Sequence, residues 1–311
     1  MKSTETQESK IIEPVYQAKE YQKQEQQEPQ QPEPSAPPAE EVTQQPEPSA
    51  APAAETPQPH LHPKPRRHQA GPGFEVSNIY YDEPDFMRNK GFMYGVSGDY
   101  TYHPDNFMFR LDGRFSSGNV DYWSSGTGTA AGIRDYNFET RFSFGYDIRT
   151  TSGNPAFTPF VGLGYRYLFD GLSAVGPGGH DRKSNYLYSP LGMEAVFRLK
   201  GRWSLGLVGE YDLFWHGWQY SETGDLLVVP DLLMLPDFVA KNDQDGGWGA
   251  RGSVRLTRNL GRIDFLCEPY FRYWSIDASD TFELLSPYFF FSLREPANTT
   301  TEWGLRIGIR F

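Results

Sequence analysis

The sequence predicts an all-β fold, an antiparallel up-and-down transmembrane β-barrel of ten strands, with eight or twelve as alternatives, behind a disordered N-terminal tail. Three observations predict it. The chain ends, from Thr301 to Phe311, in T-E-W-G-L-R-I-G-I-R-F. Trp303, Leu305, Ile307, Ile309 and Phe311 share one parity, and Glu302, Gly304, Arg306, Gly308 and Arg310 the other. A period of two is a β-strand, here with one wholly apolar face. Second, the chain holds 7 Trp, 19 Tyr and 22 Phe, and all but Tyr16 and Tyr21 follow residue 72. Interfacial girdles of a membrane barrel need such residues. Third, no run of about 18 apolar residues offers a transmembrane helix. Alternating, half-apolar segments recur instead, and these escape hydropathy scans.

The chain opens with a segment that cannot pack. Residues 1–72 are rich in Gln, Glu, Pro and Ala, and Gln-Gln-Pro-Glu-Pro-Ser-Ala occurs at 30–36 and again at 44–50. Such sequence buries too little apolar surface to offset its ordering entropy. A disordered tail of polyproline-II character is expected, with at most a nascent helix over 10–28. At about 3.1 Å per residue it would reach on the order of 200 Å. Met1-Lys2-Ser3-Thr4-Glu5 leads into polar sequence without the apolar core of a secretory signal. The numbering is therefore expected to begin on a mature or trimmed chain with an added Met. The run His60-Leu61-His62-Pro63-Lys64-Pro65-Arg66-Arg67-His68 reads as a solvated linker, because flexible His tracts seldom hold a metal in a defined geometry.

Residues 73–311 are the expected barrel. Phe74 to Asp82 supplies a first strand of weak alternation. Residues 91–103 place Phe92, Tyr94, Val96, Tyr100 and Tyr102 on one face, and Pro104-Asp105-Asn106 is turn chemistry. Residues 107–116 turn Phe107, Phe109, Leu111 and Phe115 outward, and a Ser/Gly/Thr-rich loop is expected over 117–133. Residues 135–148 alternate Tyr136, Phe138, Phe142, Phe144 and Tyr146 against Asp135, Glu139, Arg141 and Asp147. After Ser152-Gly153-Asn154-Pro155, residues 157–169 oppose Val161, Leu163, Tyr165, Tyr167 and Phe169 to Gly162, Gly164 and Arg166. A glycine-rich loop spans 170–185. Residues 186–199 and 202–216 form a hairpin about Lys200-Gly201, and a long loop covers 217–246. Strands at 247–257 and 262–276 meet at Asn259-Leu260-Gly261, and loop 277–300 precedes the last strand.

The second parity defines the inside. Its acids are Asp99, Asp112, Glu139, Asp147, Glu194, Glu210, Asp212, Asp264, Glu268 and Glu302. Its bases are Arg110, Arg114, Arg141, Arg166, Arg198, Arg251, Arg255, Arg272, Arg306 and Arg310. The two sets are equal in number, and every base is Arg, the residue suited to bidentate pairing with carboxylates in a confined space. A barrel this narrow is nearly filled by its side chains, and buried charge is costly unless paired. An interlocked ionic lumen is expected in preference to a small pore lined by both signs.

Glu302, Gly304, Ile307, Ile309 and Phe311 set out the pattern polar-x-Gly-x-x-apolar-x-apolar-x-Phe. It resembles the terminal signal of bacterial outer-membrane β-barrel proteins. The resemblance implies recognition by the barrel-assembly machinery, with Gly304, Ile307, Ile309 and Phe311 as the assembly signal. Outer-membrane barrels have short periplasmic turns and long external loops, which puts both termini, and so the tail, in the periplasm. Twelve strands would follow if 281–294 formed a hairpin of its own in the wall, and eight if an edge pair were misread.

Ten strands also make the chain similar in size to the omptin family of outer-membrane proteases, whose chemistry rests on an Asp pair and an Asp-His couple at the outer mouth. Here His103 lies by a periplasmic turn, and His216 shares its inward parity with Asp212. That i, i+4 spacing separates them by about 13 Å along a strand, too far for direct pairing. No metal-ligand spacing, phosphate loop or serine elbow falls on the strands. Asp243-Gln244-Asp245-Gly246-Gly247 reads as a turn, since the later bidentate Glu of a calcium loop is missing. The lone Cys267 sits on an apolar parity, as a small lipid-facing or buried residue. The formal charge of −11 excludes the basic face that nucleic acid requires, and the composition suggests no cationic surface for anionic lipid.

The sequence therefore points to a non-enzymatic outer-membrane barrel with a structural or surface-interaction role, without cofactor or metal. Its expected partners are outer-membrane lipid, the assembly machinery, and peptidoglycan or a periplasmic protein met by the tail. A narrow porin-like channel for small solutes is the alternative, and an omptin-like hydrolase the second. The apolar runs Leu226-Leu227-Val228-Val229-Pro230, Leu232-Leu233-Met234-Leu235-Pro236 and residues 287–293 are expected to pack on one another in the loops.

Overall fold

The computed structural model describes residues 66–150, 154, 156–175, 179–222, 239–285 and 290–311. The tail to residue 65, the apolar runs of 226–236 and residues 287–289 lie outside the described residues. The strands are β1 (His68–Glu83), β2 (Met87–Tyr102), β3 (Phe107–Ser124), β4 (Gly128–Tyr146), the short β5 (Ile148–Arg149), β6 (Ala156–Asp170), β7 (Arg182–Arg198), β8 (Trp203–Glu222), β9 (Val239–Gln244), β10 (Gly247–Asn259), β11 (Asp264–Ile276), β12 (Thr281–Leu285), β13 (Phe290–Arg294) and β14 (Asn298–Arg310). All pairings are antiparallel. Each strand of the wall pairs with its sequence neighbour, and β1 also pairs with β14, which closes the ring. β5 continues β4 against β6, and β9 and β10 succeed one another along β8. The result is a closed barrel of ten staves.

Several details differ from the sequence expectation: β7 from Arg182, β8 to Glu222 and β9 all reach into the expected loops 170–185 and 217–246. β1 already begins at His68. The supposed loop 117–133 is mostly strand: β3 and β4 run on to a tight turn at Ser125–Thr127, where Gly128 takes φ +85°. Ser, Gly and Thr disguise the alternation of Val120 and Tyr122 inward with Asp121 and Trp123 outward. Residues 281–294 do form a hairpin, β12–β13, but as a separate two-stranded sheet, so it adds nothing to the wall.

The wall is apolar outside and polar within. Trp303 is 62% exposed while Asp212, on the inner face, is 0% exposed. Such an arrangement inverts a water-soluble fold and matches a hydrocarbon surround. Along β2 the outward residues Phe92, Tyr94, Val96 and Tyr100 give way above to Lys90 and Arg88. β8 has 20 residues, more than the roughly ten a tilted strand needs to cross the hydrocarbon. Its upper part therefore stands clear of it.

Candidate functional site

The barrel interior holds the candidate site, in two layers. The lower layer is ionic. Arg114 on β3 grips Glu302 on β14 with both terminal nitrogens (3.1 and 2.6 Å), and its Nε donates to Glu75 on β1 at 3.1 Å. Arg272 approaches Glu302 at 3.4 Å and lies 4.0 Å from the Tyr270 ring centre. Arg251 on β10 holds Glu139 across the lumen at 2.9 and 2.6 Å, Asp212 at 2.6 Å and Glu210 at 3.1 Å. The Tyr188 hydroxyl accepts from Arg251 at 2.9 Å and donates to Glu139 at 2.6 Å. Arg141 donates to Glu210 at 2.7 Å and stands 3.6 Å from Asp112. Nearer the short turns, Arg110 and Arg255 share Glu194 at 2.6 and 2.8 Å, and Arg255 also reaches Glu268 at 3.1 Å. Arg306 and Arg310 share Asp99 at 2.8 and 3.4 Å. These are charge-assisted bonds in a confined space, where buried charge is costly unless paired. Cavities of about 90, 50 and 170 Å³ lie among these side chains, room for waters.

Four residues expected in this network stand apart from it, Asp147 among them, which is bonded to His103 and Thr158 instead. Arg198 is exposed at the lower end of β7, where only its backbone is held, by Asn154. The strand has passed the rim there, so parity no longer means burial. Asp264 also sits at the rim, 3.5 Å from Arg66 and bonded to Asn259. Arg166 does point inward and is buried, yet it forms no ion pair among the described residues. Its guanidinium lies 5.1 Å from the Trp274 ring centre, the position of a cation–π contact.

The upper layer was not anticipated. Ile79, Tyr81, Met87, Met93, Val120, Tyr122, Ile133 and Leu172 pack together inside the barrel. Leu168, Tyr186, Tyr188, Phe214, Trp274 and Ile276 form a second cluster. Leu172 comes from a short 3-10 helix, Leu172–Val175. Its signal was in the sequence: Met87 and Met93 share the parity of Asp99 on β2, and Ile133 that of Glu139 on β4. Above this layer Arg182 is held by Glu83 (2.5 Å), Asp170 (3.4 Å) and Glu295 (3.4 Å). Arg182 and Glu295 fell in segments read as loop, and Glu75 on a strand of weak alternation, so all three were missed.

Two tyrosines lie over glycines of the next strand, Tyr270 over Gly304 and Tyr188 over Gly164, each a cross-strand pair. The absent Cβ lets the ring lie flat and aim its hydroxyl at the carboxylates. Gly304, read as part of the assembly signal, thus also shapes the lumen. Ile307, Ile309 and Phe311 face outward.

His216 does not share a face with Asp212. β8 pairs Leu187 with His216 and then Tyr188 with Phe214, a bulge at Trp215. One extra residue reverses the parity above it. Gly217, Gln219 and Ser221 turn inward, while His216 turns outward to Asp245 (2.9 Å), Asp243 (3.6 Å) and the Trp218 ring. His103, at the opposite end, pairs with Asp147 at 3.0 Å. Among the described residues no group of His, Cys, Asp and Glu is placed to hold a metal ion.

No family model matches the chain, and no curated protein matches it. Solved structures do. TodX, a toluene transporter of Pseudomonas putida, is 12% identical, covering 79% of this chain and 89% of its own, with TM-score 0.32. TbuX, a toluene transporter of Ralstonia pickettii, is 8% identical over 78% and 88%, with TM-score 0.37. Ail, an attachment and invasion protein of Yersinia pestis, is 12% identical over 79% and 99%, with TM-score 0.28. At such scores these likenesses carry no argument. The barrel rests on its own strand pairing.

Proposed function

We propose that the chain is a bacterial outer-membrane barrel without a standing pore, acting as a structural or surface-interaction protein of the envelope. One observation supports this reading: packed apolar side chains around Met93, Val120 and Ile133, and paired charges beneath them, occupy the interior. A solute would have to displace packed side chains in the first and break paired charges in the second. The short-turn end, which carries Phe311 and the start of β1, is assigned to the periplasm. From there the tail reaches peptidoglycan or a periplasmic protein. The hairpin β12–β13 lifts Leu285 and Phe290, both exposed, from the outer end, and this surface is the one offered outward.

Planar-bilayer recording of the purified full-length protein tests the reading. Silence is expected. Steady single-channel steps would replace it with the narrow channel, for which the cavities of the lower layer are the supporting observation. We assign no catalysis to the chain. The outward His216 and the inward Asp212 lie on opposite faces, so this pair does not meet at a shared substrate position. Peptide cleavage lost in both Asp212→Ala and His216→Ala would overturn that assignment.

A further inference from the structure

The outer wall is dented on one side. A groove of about 490 Å³ crosses β8, β10, β11 and β14, lined by Leu207, Val254, Pro269, Phe271 and Trp303. Gly252, which carries no side chain, lies in its lining, and its cross-strand partner Gly209, where a Cβ would meet nothing within 4 Å, adjoins it on the outer face. Phe271 and Trp303, with ring centres 4.3 Å apart, stand beside it as a bank. Pro269 has no N–H to give across to β10. The β10–β11 ladder accordingly skips Val254 and Arg255 and resumes at Leu256 opposite Cys267.

Below the groove, two adjacent hairpins gather cations. Arg198, Lys200 and Arg202 ring the β7–β8 turn, and Arg258 and Arg262 the β10–β11 turn; all five are exposed. Residues 198–206 and 254–263 contain no acid, and none of the five cations forms an ion pair among the described residues. The Arg258 guanidinium lies 5.1 Å from the Trp203 ring centre. Arg258, Leu256, Val254 and Gly252 follow one another on the outer face of β10. At about 3.3 Å per residue, the stretch from Arg258 to Gly252 is roughly 20 Å, the reach of one extended acyl chain. The acidic whole-chain balance suggested no cationic surface for lipid; the fold assembles one locally.

We propose that this face binds a phospholipid with an anionic headgroup from the periplasmic leaflet, its phosphate at Arg258 and the neighbouring turn cations, and one acyl chain in the groove over Gly252. A second copy docked symmetrically on this face would set the cations against themselves; a lipid phosphate complements them. The proposal rests on the lipid-facing assignment of this wall, which a heat-modifiability gel of each protein checks separately.

Native mass spectrometry of the full-length protein, equilibrated in detergent with phosphatidylglycerol or phosphatidylcholine, reads the binding. One phosphatidylglycerol should be retained in clear preference to phosphatidylcholine. Arg202→Gln and Arg258→Gln should each weaken that retention roughly fivefold. Gly252→Leu, which fills the floor, should lower retention of both lipids. Gly98→Leu, at the other outward glycine pair with open space above it, should leave retention unchanged. Should Gly252→Leu fail to fold, the arginine variants carry the test. Equal retention of the two lipids, arginine variants that bind as the parent does, folded Gly252→Leu that matches Gly98→Leu, or a lipid-free dimer would each overturn the proposal.

Discussion

Replacing Arg251 by Met tests whether the inner charges brace the barrel. The side chain is 8% exposed and reaches Glu139, Glu210 and Asp212. Met conserves most of the volume, so little cavity forms. Glu210 keeps Arg141 at 2.7 Å and Glu139 keeps the Tyr188 hydroxyl at 2.6 Å. Asp212, which is 0% exposed, keeps no cation. Removing one partner of a buried ion pair costs about 3–5 kcal/mol, and water drawn into the adjoining cavity offsets part of it. A loss of about 4 kcal/mol is expected. With a urea slope of about 3 kcal/mol/M, the unfolding midpoint should fall by more than about 1 M. Tryptophan fluorescence of the protein in lipid vesicles, under reversible urea unfolding, measures it. Adding Asp212→Asn and Glu139→Gln to Arg251→Met should restore part of the loss, because no orphaned carboxylate then remains. A loss under about 1 kcal/mol for Arg251→Met alone would refute the bracing argument.

Other perturbations separate the layers and the rim. Arg114→Ala should cost about 3–5 kcal/mol, while the exposed Arg198→Ala should stay within about 0.5 kcal/mol; equal losses would mean the rim was misplaced. Gly304→Ala drives a Cβ into the Tyr270 ring and moves its hydroxyl from Glu75 and Glu302, so about 1–3 kcal/mol should be lost, read as a lower unfolding midpoint. Met93→Ala should cost about 2–5 kcal/mol yet leave planar bilayers silent, because the ionic layer still closes the lumen. Ile309→Asp, on the lipid face, should reduce the heat-modifiable form recovered from cell membranes, and unchanged recovery would speak against the terminal signal.

How legible the protein was depended on how much of a residue's setting is local. β14 could be read residue by residue because Trp303 to Phe311 alternates without interruption. The network partners on β2, β3, β4 and β10 could be assigned by parity from their apolar neighbours. Two things defeat parity. A bulge such as that at Trp215 changes phase without changing composition, which is why His216 was placed on the wrong face. Strand ends are the other: Arg198 kept its inward phase but had left the wall, while Arg182 and Glu295 were inside segments too glycine-rich or irregular to read as strand. Which Arg meets which carboxylate across the lumen is a property of barrel closure and shear, and no local pattern encodes it. The upper apolar layer leaves a trace in the sequence, where Met93 and Ile133 break an otherwise polar phase. The cationic rim was hidden by averaging, as clusters on two turns distant in sequence vanish in a sum over the chain.

Arg114 finds its carboxylates on the first stave and the last. Until β14 docks beside β1, that guanidinium lies inside an unfinished cylinder without its principal counter-charge, and Glu302 arrives only with the segment that seals the seam. A chain cut short before Glu302 leaves Arg114 with Glu75 alone and an open edge beside it. The strand that closes the ring also brings the second carboxylate of its buried Arg114, so closure and charge pairing are completed together.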